Sequence, residues 1–118
     1  MKIILASKSG VRKKILEKNN VDCTVVPSNI DEDQVKDSLL AAGANPMLIS
    51  KNLAELKAIK VSNKYPDQLV LGADSVISLN NELINKPNTR DEGLKILKQL
   101  NGSLHFLITS VCISKNGA

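Results

Sequence analysis

Residues 2–20 read KIILASKSGVRKKILEKNN, and this stretch decides the fold class. Lys2 to Ala6 are apolar and β-branched enough to predict a buried strand, whereas the segment from Val11 to Asn20 is amphipathic. Ser7-Lys8-Ser9-Gly10 separates the two patterns, and Ser9 is well placed as the N-cap of the helix. The stretch therefore predicts a strand, a loop and a helix, which is the building unit of α/β folds.

The same alternation of strand and helix patterns continues along the chain. Further strands are predicted at residues 21–26, 69–71, 76–77, 82–84 and 105–113, and further helices from Met47 to Ser62 and from Thr89 to about Leu100. Asn45 is the predicted cap of the first of these helices, with Pro46 at its first position, and Ile49, Leu53 and Leu56 are predicted to share one apolar face. Asn80-Asn81 and Asn116-Gly117 are hairpin signals, so part of the sheet is expected to be antiparallel. We predict one α/β domain over residues 1–118, with a mixed sheet flanked by helices. Because the last element stops in mid-hairpin, we expect the chain to be part of something longer.

The amino-acid composition indicates which classes of ligand or macromolecule the chain could bind. The 118 residues carry a formal net charge of +4, which suits binding of any polyanion. Phe106 and Tyr65 are the only aromatic residues, so stacking of nucleic-acid bases is not expected. No run of residues resembles a signal peptide or reaches membrane-spanning length, and Cys23 and Cys112 are read as buried free thiols. We expect a cytoplasmic protein without a nucleic-acid or membrane partner.

Cationic and hydroxyl side chains gather where the first strand gives way to the first helix. Ser7, Ser9 and Arg12 could converge there on a phosphate, together with backbone N–H groups. The alternative is a capped helix with a solvated basic face. Lys57 lies on the shoulder of a predicted apolar helix stripe and could point into a cleft, and Lys86 precedes a proline that would fix its direction. The alternative for each of these lysines is an ordinary surface position.

Two groups of carboxylates are candidates for binding a divalent metal. Asp31, Glu32 and Asp33 are predicted to form an acidic loop, with a solvated loop as the alternative. Asp74 lies between two apolar strand runs, where a carboxylate must be paired, hydrogen-bonded or metal-bound to be tolerated. Hydrolysis of a phosphoanhydride uses Mg²⁺ or a similar ion held by carboxylate oxygens. Two carboxylates from different segments would supply those oxygens.

The order and spacing of six motifs resemble the Maf family of nucleotide pyrophosphatases. The family patterns are A-S-x-S-P-x-R, V-x-P-S-x-x-D-E, L-A-x-x-K-A, G-A-D-T-V, K-P and S-G-x-x-H. This chain has ASKSGVR at 6–12, VVPSNIDE at 25–32, LAELKA at 53–58, GADSV at 72–76, KP at 86–87 and NGSLH at 101–105. Gly10 and Ser75 depart from the family's proline and threonine, but no proposed catalytic group is lost.

The resemblance implies a Maf and inosine-triphosphatase-like fold whose C-terminal part is missing here. It implies a homodimer that hydrolyses a nucleoside triphosphate, such as dTTP, UTP or 7-methyl-GTP, to a monophosphate and pyrophosphate with Mg²⁺ or Mn²⁺. The implied substrate-binding residues are Ser7, Ser9, Arg12, Lys57 and Lys86, to which we add Lys13. The implied metal ligands are Glu32 and Asp74. The implied catalytic residues are Asp74, Lys57, Lys86 and Arg12.

Two alternatives to this function stay open. The same anion pocket could bind a nucleotide or a protein without catalysis and regulate septum formation, a process to which the family has a historical link. An inactive truncated fragment is the other alternative, because the family members are longer than this chain. His105, the single histidine, is read as structural support in a strand, although it matches a family motif.

Overall fold

The computed structural model of the chain describes residues 2–7, 10–80, 82–84, 89–102 and 104–118. Strands and helices alternate within it, as the sequence predicts. The strands are β1 (Lys2–Leu5), β2 (Asp22–Val25), β3 (Val70–Leu79), β4 (Glu82–Ile84) and β5 (His105–Ser114). The helices are α1 (Gly10–Lys18), α2 (Glu32–Ala41), α3 (Pro46–Ser62) and α4 (Arg90–Leu100). None of these helices combines the length and the apolar character that crossing a bilayer requires.

The five strands form one mixed sheet built around β3. β1 pairs in parallel with both β2 and β3, whereas β4 and β5 are antiparallel to β3. β5 takes the whole of one β3 edge, from residue 70 to residue 79. β1 and β4 share the other edge, at residues 70–71 and 77–79 respectively. Among the described residues, no strand therefore pairs with that edge of β3 between residues 72 and 76.

The helix α3 lies against β3 and β5 and closes the core. It begins as predicted, with Pro46 in the first turn and the Asn45 side chain accepting a hydrogen bond from the Leu48 amide at 2.8 Å. Ile49 and Leu53 are fully buried on its inner face. Leu56 was predicted to share that face, but it is 42% exposed. Lys57 takes its place on the inner face and is only 8% exposed.

Gly72 of β3 allows α3 to approach the sheet closely. A Cβ atom at this position would lie 2.8 Å from the Ala58 backbone nitrogen and would overlap the Ala54 carbonyl oxygen. Both obstacles are backbone atoms of α3, so no side-chain rotation would relieve them. The absence of a side chain at residue 72 therefore sets the distance between α3 and β3, and with it the position of Lys57.

Two predicted elements differ in the structure. The acidic stretch that we predicted as a loop opens α2, where Asp31 is the N-cap and accepts a hydrogen bond from the Gln34 amide at 3.1 Å. Acidic side chains in the first turn favour a helix because they face the positive end of its dipole. The two short strands predicted at 69–71 and 76–77 form one continuous strand, β3, because β5 pairs with it at every residue.

The two cysteines are free, as predicted, but they are partly exposed and not buried. Cys112 lies on β5 directly opposite Gly72. Burial raises the pKa of the Cys112 thiol above its ordinary value, and the negative charge of Glu55 on α3 raises it further. The pKa of the Cys112 thiol therefore depends on how closely α3 covers the sheet.

Candidate active site

Three charged side chains from three elements meet at the open edge of β3. The Lys57 ammonium on α3 lies 3.2 Å from Asp74 Oδ1 on β3 and 2.5 Å from Glu32 Oε1 on α2. We call Lys57, Asp74 and Glu32 the ammonium cluster. The cluster is formed by residues that the sequence singled out separately. In the ammonium cluster, the carboxylates of Glu32 and Asp74, which are distant in sequence, pair with the same Lys57 ammonium group.

The backbone of β3 explains where the ammonium group lies. The Leu71 carbonyl accepts from the Ala6 amide, so it faces β1, and the carbonyl two residues further on faces the same edge. That next carbonyl belongs to Ala73, lies beyond the end of β1, and accepts a hydrogen bond from Lys57 Nζ at 3.2 Å. The lysine therefore satisfies a backbone acceptor that the sheet leaves unpaired.

Asp74 is the most deeply buried member of the ammonium cluster, with 5% of its surface exposed. Its Oδ1 atom accepts a hydrogen bond from Lys57, but its buried Oδ2 atom has no hydrogen-bond partner among the residues that the structure describes. A buried carboxylate oxygen without a partner is costly, so proteins keep such an atom mainly where it has a chemical use. Asp74 Oδ2 is thus an acceptor held ready for a proton, a water molecule or a cation.

A second group of polar side chains meets β3 at the next residue. Arg12 on α1 donates from Nη1 to Ser7 Oγ at 3.1 Å and from Nη2 to Ser75 Oγ at 3.3 Å. Ser75 in turn shares a hydrogen bond of 2.9 Å with Thr109 of β5. We call Arg12, Ser7, Ser75 and Thr109 the guanidinium cluster. It joins α1, the end of β1, β3 and β5.

The two clusters flank one point of β3 from opposite faces of the sheet. Asp74 and Ser75 are consecutive, so their side chains leave the strand in opposite directions. Asp74 shares the face of α3, since Ser110 lies directly across from it and bonds to Ser50 of α3. Arg12 meets the strand at Ser75, on the other face. The resemblance implies one site that contains both Arg12 and Asp74, whereas the structure places them on opposite faces of the sheet, one peptide unit apart on β3.

The remaining predicted site residues fall into two groups. Ser9 and Lys86 lie outside the described residues. Lys13 is described, and its side chain is about half exposed and forms an ion pair of 3.8 Å with Glu17 one helical turn further along α1. Its described contact is thus with α1 itself, away from both clusters. His105, which we read as structural support, is the exposed first residue of β5.

Ser75 and Thr109 were not identified as site residues from the sequence. Their contact depends on the register of β3 against β5, in which they lie directly opposite each other. The sequence signal was weak, because Thr109 lies in the strand predicted at 105–113, whereas Ser75 lies between the strands predicted at 69–71 and 76–77. Reading that signal requires the register, which short-range patterns do not fix when 34 residues separate the partners.

The chain is similar to several known proteins. A family model described as "Maf-like protein" matches residues 2–118. The chain is 63% identical over 116 residues to a nucleoside triphosphate pyrophosphatase of Pelagibacter ubique, covering 98% of this chain and 60% of that protein. A nucleoside triphosphate pyrophosphatase of Ruegeria sp. is 41% identical over 111 residues, covering 94% and 56% of the two chains.

A relative with a more specific name is also similar. The 7-methyl-GTP pyrophosphatase of Brucella abortus is 34% identical over 117 residues, covering 99% of this chain and 59% of that protein. The chain thus spans less than two thirds of the length of each of these relatives.

Proposed function

The chain belongs to the Maf family, and from that premise we propose that it supplies the phosphate-binding and catalytic residues of a nucleoside triphosphate pyrophosphatase. The observation that carries this proposal is the ammonium cluster, in which Lys57 joins buried Asp74 to Glu32 beside the hydrogen bonds of Arg12. Cations and carboxylates at one open sheet edge fit a polyphosphate chain and the group that attacks it. The products would be a nucleoside monophosphate and pyrophosphate.

The cations would bind the phosphates and stabilise the charge that develops on them. The planar guanidinium of Arg12 suits paired hydrogen bonds to phosphate oxygens. Lys57 offers a compact ammonium group held in a buried position, where its charge is less screened than in water. In this proposal the triphosphate crosses the open edge of β3 between residues 72 and 76, so that both cations reach it.

The carboxylates fit a divalent ion of the magnesium type. Glu32 and Asp74 offer hard oxygen atoms that already converge on one positive group, and Asp74 Oδ2 has no partner in the described part of the chain. Among the described residues, no group of three or more His, Cys, Asp or Glu side chains could hold a metal ion. Mg²⁺ or Mn²⁺ would therefore share its coordination between these two carboxylates, phosphate oxygens and water. When bound, such an ion polarises phosphate oxygens and neutralises their charge.

Asp74 would also orient the attacking water. Its Oδ2 atom would accept the proton as the water oxygen bonds to the α-phosphorus. The bond from the α-phosphorus to the bridging oxygen of the β-phosphate would then break, and pyrophosphate would leave with that electron pair. Lys57 and Arg12 would stabilise the negative charge on the leaving group. Positioning and electrostatic stabilisation of this kind account for most catalysis in phosphoryl-transfer enzymes.

The substrate base and the assembly are further parts of the proposal. The resemblance implies dTTP, UTP or a modified nucleotide such as 7-methyl-GTP, and one similar protein is named for the last of these. A homodimer is supported by the exposed apolar side chains of β5, since apolar patches mark contact surfaces. These side chains are Leu107, Val111 and Ile113. The cytoplasmic setting expected from the sequence remains a prediction.

The proposal is tested by pyrophosphate release from a panel of nucleoside triphosphates with added Mg²⁺. Both the 118-residue chain and a version extended to the length of its relatives should be assayed. In the extended version, Asp74→Asn should abolish turnover while the protein still folds, although with a lower free energy of unfolding, because the buried Lys57 ammonium loses a charged partner. Asp33→Asn, at an exposed acid beside Glu32, should change little. Nucleotide binding without pyrophosphate release from any substrate would refute catalysis and favour the regulatory role in septum formation.

A further inference from the structure

The guanidinium cluster forms a continuous line of hydrogen bonds that ends at an exposed residue. Thr109 lies on the exposed face of β5, and its hydroxyl contacts Ser75 at 2.9 Å. Ser75 accepts from Arg12 Nη2, while Ser7 accepts from Nη1 of the same guanidinium. The two NH₂ groups of the guanidinium therefore donate to two hydroxyl groups, one from Ser7 after β1 and one from Ser75 in β3.

The physical role of Thr109 follows from the hydrogen-bonding capacity of Ser75. A serine hydroxyl has one proton to donate and two lone pairs to accept with. When that proton points at Thr109, the lone pairs of Ser75 face Arg12. When Thr109 donates instead, it takes one lone pair of Ser75 and the second lone pair accepts from Nη2. In both arrangements Thr109 fixes the Ser75 hydroxyl oxygen that accepts from Arg12. An arginine side chain loses rotamer entropy when it is fixed, so a partner that fixes it beforehand lowers the cost of binding an anion.

We propose that Ser75 and Thr109 are positioning residues that hold the Arg12 guanidinium ready for the polyphosphate of the substrate. They act through Arg12 and do not themselves touch the substrate. This inference rests on the proposed function, since it assigns Arg12 a phosphate to bind. It adds Ser75 and Thr109 to the residues that determine substrate affinity.

Thr109 is exposed, but it lies on the face of β5 that carries Leu107 and Val111 of the proposed dimer surface, so the variants are compared in the same oligomeric state. Thr109→Val keeps the branched shape that suits a strand and removes only the hydroxyl. Thr109→Ser keeps the hydroxyl and serves as the conservative variant. Ser114→Ala is the matched control, because Ser114 lies on the same strand and loses hydrogen bonds to Ser62 and the Ala118 carbonyl without contacting Arg12.

The first measurement is the affinity for inorganic tripolyphosphate by titration calorimetry. Thr109→Val should weaken binding by about three- to tenfold, which corresponds to the loss of one ordinary hydrogen bond. Thr109→Ser and Ser114→Ala should bind within about twofold of the unchanged chain, on the same energy scale. In the Arg12→Gln background, Thr109→Val should have no further effect, because residues that act through one group are not additive. An equal loss with and without Arg12 would overturn the inference.

The second measurement separates this inference from the proposed function. Nitrogen-15 relaxation of the Arg12 Nε–H group should show a more mobile side chain in Thr109→Val, and no change in Ser114→Ala. If the unchanged chain binds no tripolyphosphate and the extended version releases no pyrophosphate, the proposed function fails, and this relaxation result alone decides the role of Thr109. An Arg12 side chain that stays equally ordered in Thr109→Val refutes that role.

Discussion

The ammonium cluster and the guanidinium cluster start from neighbouring residues of β3, but they are held in different ways. Lys57 and Asp74 are both less than 10% exposed, and helix α3 covers them from one face of the sheet. Arg12 and Ser75 are half-buried, and Thr109 is exposed. The first cluster pairs opposite charges, whereas the second joins one cation to neutral hydroxyl groups.

This difference separates the energetic roles of the two clusters. A buried charge that loses its partner destabilises the fold strongly, so the ammonium cluster is tied to folding as well as to chemistry. A half-exposed guanidinium that loses a hydroxyl partner can turn to water at little cost. Substitutions in the ammonium cluster should therefore change stability and binding together, while substitutions in the guanidinium cluster should change binding alone.

The largest expected effect comes from removing the shared cation. Lys57→Met should lower the free energy of unfolding by about 3 kcal/mol, because Asp74 is then left buried without a charged partner. Arg12→Met should cost less than about 1 kcal/mol, the range for exposed charges. Urea denaturation followed by circular dichroism measures both. Glu32→Gln is the control within the cluster, and its cost should be small, since the Glu32 side chain is 36% exposed. Equal losses for Lys57→Met and Arg12→Met would contradict the comparison.

A smaller effect is expected from moving α3 away from the sheet. Gly72→Ala places a methyl group against the α3 backbone and should cost about 1–3 kcal/mol, the usual range for overpacking. It should also weaken tripolyphosphate binding, because Lys57 is carried on α3. Gly10→Ala is the matched control, since a Cβ atom there meets nothing within 4 Å. If Gly72→Ala unfolds at the same urea concentration as the unchanged chain, the close packing of α3 on β3 does not determine the position of Lys57 in the ammonium cluster.

These two substitutions also show which parts of the site the sequence could predict. Asp74 and Lys57 stood out because each is a charge within an apolar pattern, one in a strand and one at the edge of a helix stripe. A charged residue within an apolar pattern is readable from the sequence, because its apolar neighbours must be buried and the charged side chain is then buried beside them. Both residues are buried, although the sequence placed Lys57 only on the shoulder of the apolar stripe and wrongly assigned Leu56 to the buried face.

The other contacts of the site could not be predicted, because they depend on how segments distant in sequence pair with each other. The contact of Ser75 with Thr109 depends on the strand register, and the hydrogen bond from Lys57 to the Ala73 carbonyl depends on where β1 ends. The helix α2 was missed for another reason. All of its described residues are at least partly exposed, so it has no buried stripe to detect. Its start was nevertheless readable, because Asp31 and Gln34 have capping-box spacing.

The helix cap of α2 offers a third test, with an effect of about 1 kcal/mol on unfolding. Asp31→Ala removes the acceptor for the Gln34 amide and should loosen the turn that carries Glu32. Its cost should be smaller when Lys57→Met is already present, because the ion pair between Glu32 and Lys57 that the turn supports is then lost. Thr89→Ala is the control, since it removes the same kind of cap from α4, and its cost should add to that of Lys57→Met. Strict additivity in both pairs would show that α2 does not support the cluster.

The smallest expected effect concerns the thiol of Cys112, which lies under α3 on the face of the ammonium cluster. Burial and, secondarily, the charge of Glu55 raise the pKa of this thiol, so less of the reactive thiolate is present at a given pH than in the unfolded chain. Glu55→Gln removes the second cause and should increase the rate of alkylation at pH 8 by less than about threefold. The stability that goes with the protonated thiol is present at neutral pH and is lost as the pH rises through the raised pKa.

Gly72→Ala should increase the rate of alkylation of Cys112 more than Glu55→Gln does. Moving α3 away from the sheet removes burial, which is the larger cause of the raised pKa. The opposite order would mean that α3 shields Cys112 by its charge and not by its close contact with the sheet.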